Sequence, residues 1–164
     1  MKRRAGTIYF GNTDVNSHNT HFKNMIIAVD FDGTIVEHRY PEIGKERPFA
    51  TLTLKQLIAD GHRLILWTVR EGKLLDEAVE WCRQRGVEFY AVNRDYEEET
   101  QDNNNHYSRK IKANLFIDDC NVGGLPDWGV IYEVVKRRST FEDYYLGIER
   151  KPSPRKKKKH WWNF

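Results

Sequence analysis

Two aspartates two residues apart, Asp30 and Asp32, close a run of five apolar residues, Met25 to Val29, and Gly33 and Thr34 follow at once. An apolar run of this kind reads as a buried strand, and residues i and i+2 of an extended chain project to the same side. Carboxylates crowded at the mouth of a buried strand repel one another unless a cation or a shared proton relieves them, so the pattern asks for a metal or for proton transfer. Gly33 permits a sharp turn, and Thr34 offers a hydroxyl and an N–H to an anion. Two further apolar runs end in reactive side chains: Leu64 onward stops at Thr68, and Leu115 to Ile117 stops at Asp118 and Asp119.

Elements able to bring these three ends together follow from the chain between them. Leu54, Leu57 and Ile58 stand at helical spacing within Thr51 to Asp60, and Gly61 is a suitable stop. The clearest helix is Gly72 to Gly86, where Leu74, Leu75, Ala78, Val79 and Cys82 share a face. Val87 to Val92 reads as a third strand, Leu115 to Ile117 as a fourth, and Val130 to Tyr132 as a last short one. Ser139 with Glu142 resembles a capping box for a helix running to about Ile148. Strands alternating with helices predict an α/β fold, a Rossmann-like parallel sheet flanked by helices on both faces, with chemistry outside the carboxyl ends of its strands.

Composition sets the limits. A chain of 164 residues, 39% hydrophobic, builds one domain with a core and has no room for a second full one. The domain is expected at residues 25–149. Residues 1–24 show neither helical nor strand period and read as an extension outside the core, which a chain starting at Met25 is expected to fold without. Residues 150–164 hold seven Lys or Arg and no acid, so the basic character belongs to a tail expected to be disordered, while the rest is acidic overall. No stretch is apolar enough for a membrane span or a signal peptide, and two cysteines without metal-type spacing fit free thiols in a cytoplasmic setting.

In order and in strand context these residues resemble the haloacid dehalogenase superfamily, and specifically its phosphatases. Asp30-Phe31-Asp32-Gly33-Thr34 matches the first motif, Thr68 the second, a lysine before the fourth strand the third, and Asp118-Asp119 the fourth. The resemblance implies a Mg²⁺-dependent phosphomonoester hydrolase with an aspartyl-phosphate intermediate. Asp30 would be the nucleophile, and Asp32 would protonate the leaving alcohol and then deprotonate water. The implied metal ligands are Asp30, Asp32 through its backbone carbonyl, and one of Asp118 and Asp119, the other holding the lysine. Gly33, Thr34, Thr68 and the lysine would bind phosphate. Lys110 is favoured for that lysine because it stands farther from Asp118, with Lys112 as the alternative. Dehalogenases lack the second acid of the first motif, so Asp32 favours phosphoryl transfer.

Ile35 to Phe49 is too short for a cap domain, and a helix and a strand consume most of Thr68 to Lys110, so the chain resembles capless members. Loops 37–47 and 93–108 are expected to overhang the site, with His38, Arg39, Arg70 and Glu71 as candidate substrate contacts. Trp67 and Trp81 read as packing residues, Cys120 as a packed thiol and His106 as solvated. A phosphorylated small molecule is the expected substrate. A nucleic-acid end phosphatase using the basic tail, a phosphotransferase and a non-catalytic binding module of the same fold are the alternatives.

Overall fold

The computed structural model describes residues 24–100 and 110–148. Residues 1–23, the tail from 149 onward and the second half of the second overhanging loop, His106 included, lie outside the described residues. The elements run β1 (Ile26–Val29), α1 (Ala50–Ala59), β2 (Arg63–Leu66), α2 (Gly72–Arg83), β3 (Ala91–Val92), β4 (Leu115–Ile117), α3 (Trp128–Arg137) and α4 (Phe141–Tyr145). All pairings are parallel and the strand order is β3-β2-β1-β4. This is the Rossmann-like α/β arrangement, and no helix of the described residues is long and apolar enough to cross a membrane.

Strand order decides where the helices go. From β1 the chain steps to β2 and on to β3 in one direction, so right-handed crossovers lay α1 and α2 on the same face. That face carries Ile27, Val29, Leu64, Leu66 and Ile117, and beneath the helices it packs against Leu54 and Leu57 of α1, Cys82 of α2 and Trp128, Ile131 and Val135 of α3. The step from β3 back to β4 reverses direction and crosses the other face. There Ala28, Ile65 and Ala91 are covered by Ile111, Ala113 and Trp67. Helices on both faces were expected; among the described residues α1, α2 and α3 pack on the first face, and Ile111 and Ala113 of the β3–β4 connection pack on the other.

Three local expectations are corrected. Val130 to Tyr132 is not a strand but part of α3, because Trp128, Ile131 and Val135 bury one face at helical spacing over a longer window. In the place of a fifth strand, a hollow of about 460 Å³ runs along β4, between it and the start of α4. The capping box of α4 is Thr140 with Asp143, one residue beyond the expected pair: the Thr140 hydroxyl accepts from Asp143 N at 3.0 Å and the Asp143 carboxylate accepts from Thr140 N at 3.3 Å. The third strand is shorter than expected because Val87 still closes the end of α2, donating to Cys82 O at 3.0 Å.

The stretch after the first motif folds as a small flap. Val36 bridges Glu46 in antiparallel sense, Glu37 N donates to Lys45 O at 2.7 Å and Arg47 N to Ile35 O at 2.9 Å. The flap then feeds α1, whose first turn lacks an N-cap side chain; the carboxylate of Glu46 accepts from both Thr51 N and Thr51 Oγ1 instead. A flap residue therefore satisfies helix donors that the cap position leaves open.

Candidate active site

The sheet places Asp30, Thr68 and the pair Asp118 and Asp119 at one edge, each just past the carboxyl end of a strand. The order reverses between β1 and β4, so Asp30 and the acidic pair straddle the switch point, where open α/β sheets bind ligands. Asp30 N donates to Ile117 O at 2.9 Å, which continues the ladder up to the first acid.

Asp30 is half-buried, and its Oδ2 is buried without a hydrogen-bond partner. Burial, assisted by the charges of Asp118 and Asp119, outweighs hydrogen bonds from Phe31 N–H and the Thr34 hydroxyl and pushes the Asp30 carboxyl up to about 6. An oxygen that has lost water and gained no donor, with the charges of two more carboxylates acting on its group, suits a hard cation. Asp118 and Asp119 have ligand atoms within 4.8 Å of one another, together with Cys120. Carboxylate oxygens fit Mg²⁺, whereas a thiol does not belong to such a set. Cys120 is exposed rather than packed as expected, and Asp119 and Asp118 raise its thiol pKa, which keeps it a poor nucleophile.

Thr34 braces this cluster from inside. Fully buried, its hydroxyl accepts from Asp119 N at 3.0 Å, lies 3.4 Å from Asp119 Oδ1 and hydrogen-bonds Asp30. Its carbonyl accepts the indole N–H of Trp128 at 3.3 Å. Gly33 N donates to Val36 O and Thr34 N to Phe31 O. The expected phosphate contacts of Gly33 and Thr34 are therefore spent on internal bonds, and their observed work is to set the carboxylates. Gly33 is also sterically fixed, with φ of 89° and the Asp119 carboxylate occupying the place where a Cβ would stand.

Thr68 keeps a donor to give. Its N–H is taken by Asn93 Oδ1 at 2.8 Å, and its Oγ1 accepts from Arg70 N at 3.3 Å, which leaves the hydroxyl proton to donate. Asn93 holds this turn from the end of β3 in a left-handed conformation, φ 53°, that asparagine tolerates well. Of the two lysines, Lys112 pairs with Asp95 at 3.4 Å, and Lys110 is exposed at the point where the described chain resumes.

Asp32 and Arg70 form the part that the sequence did not foreshadow. Arg70 was expected at the surface as a substrate contact and is instead 1% exposed. Its Nε and Nη2 donate to the two oxygens of Asp32 at 2.6 and 2.7 Å. Nη1 donates to Pro41 O and Nη2 to Glu42 O, each at 2.9 Å, and the rings of Phe31 and Tyr40 flank the guanidinium at 5.1 and 5.4 Å. His38, Arg39 and Glu71 are exposed as expected. Trp81 packs edge-on against Phe31 at 5.8 Å, a packing role as read from sequence.

Fold and site define an α/β protein with a parallel Rossmann-like sheet and an acidic cluster at its switch point. A solved structure of a conserved protein from Bacteroides thetaiotaomicron is 68% identical to this chain, covers 74% of it and 98% of its own length, with a TM-score of 0.70. The chain belongs to the family of that protein. No family model and no curated protein matches it.

Proposed function

We propose that the chain is a Mg²⁺-dependent phosphomonoester hydrolase of the haloacid dehalogenase type, acting through Asp30. The observation that carries this reading is the partnerless buried Oδ2 of Asp30 beside two more carboxylates at the switch point. A purely structural aspartate would be paired, as Asp143 is in the α4 capping box. Mg²⁺ held by Asp30 and the Asp118–Asp119 pair would neutralise charge between the acids and the phosphate.

Asp30 attacks phosphorus, forming an acyl phosphate as the ester P–O bond breaks, and Asp32, carrying a proton on a lone pair that the Arg70 fork leaves open, gives it to the departing alcohol. Asp32 then takes a proton from water, whose oxygen attacks the same phosphorus and releases phosphate and Asp30. The Thr68 hydroxyl and the Lys110 ammonium donate to the phosphoryl oxygens; a preorganised donor of this kind is worth about 3 to 4 kcal/mol in the transition state. Among the described residues the 35–47 flap is the cover and no cap domain is present, which fits a phosphorylated small molecule.

Phosphate release from a panel of alkyl and aryl phosphate esters, with Mg²⁺ and with EDTA, tests the proposal. Turnover that needs Mg²⁺ and is lost in Asp30→Asn supports it; Mg²⁺-independent turnover, or turnover retained in Asp30→Asn, overturns it.

A further inference from the structure

We propose that Arg70 is a positioning residue that makes the flap and the Asp32 carboxylate one mechanical unit. The inference rests on the hydrolase reading for the role of Asp32, but the coupling stands on geometry alone. One guanidinium uses two donors on Asp32 and two on consecutive flap carbonyls, Pro41 O and Glu42 O. It sits between Phe31, from the first motif, and Tyr40, from the flap. Only arginine has a planar fork able to bridge both partners; lysine, a point charge with a single nitrogen, would have to choose.

Two consequences follow. With both oxygens fixed by the fork, the Asp32 carboxylate has one orientation toward a leaving group. With the flap carbonyls fixed by the same group, the flap cannot lift without disturbing that orientation. The exposed His38, Arg39 and Tyr40 at the flap tip are thereby held in place relative to the acid, so a substrate that engages the tip also acts on Asp32.

The test has two arms on the full chain, using Arg70→Lys and Asp32→Asn. Hydrogen exchange of the flap peptide, residues 37–47, is compared with that of β1 and β2 as a control for folding. Loss of the bridge should speed flap exchange at least about tenfold in both variants and leave the strands unchanged. Native-like flap exchange in Asp32→Asn overturns the coupling, whatever the turnover. In the second arm, kcat/KM for Arg70→Lys is measured on an alkyl and an aryl phosphate. Misplacing a proton donor should cost about 100-fold on the alkyl ester and less than about 5-fold on the aryl ester, whose leaving group needs no proton. Equal losses on both esters overturn the positioning role. A native chain inactive on every ester counts against the hydrolase reading, and the exchange arm then decides the coupling.

Discussion

Asp30→Asn should make the metal-free protein more stable at neutral pH while abolishing its chemistry. In the folded chain the Asp30 carboxyl is pushed up from 3.8 to about 6, chiefly by burial. Below the unfolded value both states hold the proton and folding is unaffected by it. As pH rises through the folded value the native state keeps a proton that the unfolded chain has released, and above it the native state carries a desolvated charge. Stability is therefore lost between about pH 4 and pH 6 and stays lost above. A shift of about two units corresponds to about 3 kcal/mol, which the remaining solvent access of a half-buried side chain reduces to roughly 2 kcal/mol. For a chain of this size that is roughly 4 to 8 °C in melting temperature. The assay is thermal unfolding in EDTA at pH 4 and pH 7.5. The variant should melt with the native protein at the lower pH and several degrees above it at the higher. Mg²⁺ should raise the native melting temperature at pH 7.5 and have much less effect on the variant. A variant that melts below the native protein at pH 7.5 without metal would refute the reasoning, because Asp30 would then be a satisfied structural group.

Gly33→Ala and Gly124→Ala share a positive φ and should each cost about 1 kcal/mol in denaturant unfolding, but only at Gly33 would the new Cβ meet Asp119. Calorimetric titration should accordingly show Mg²⁺ affinity lowered at least about tenfold in Gly33→Ala and unchanged in Gly124→Ala. Thr68→Val keeps the N–H bond to Asn93 and removes the hydroxyl, so turnover should fall by about 100-fold, while the lost acceptor for Arg70 N should cost only about 1 kcal/mol in denaturant unfolding. Lys110→Ala should lose most turnover, whereas Lys112→Ala loses only an exposed pair with Asp95 and should alter stability by less than about 1 kcal/mol and activity little.

The parallel sheet and the acidic strand ends were legible because they leave simple marks: apolar runs of strand length, each stopping at an oxygen-bearing side chain. The helix α2 was legible for the same reason, a long window of consistent period. Val130 to Tyr132 misled because three β-branched or aromatic residues look like a strand when the window is short, and only Trp128 and Val135 at its ends reveal the helix. Arg70 was beyond reach: its partner Asp32 lies 38 residues away, and an arginine in a loop carries no local sign that both will be buried. The inward use of Thr34 was equally hidden, since it depends on β1 and β4 pairing side by side so that Asp119 N arrives at its hydroxyl. Nor did any local signal mark Trp128, whose indole closes on Thr34 O from 94 residues away. Sequence pattern thus located the carboxylates, while the bonds that orient them required the fold.

The proposed chemistry turns on covalent phosphorylation of Asp30. Acid-quenched protein, taken within the first turnovers on a phosphate ester with Mg²⁺ and mapped by mass spectrometry, tests it directly. One phosphoryl group is expected on the peptide containing Asp30, absent in Asp30→Asn and in EDTA. Turnover with that peptide unmodified, or a phosphoryl group that persists in Asp30→Asn, would contradict it.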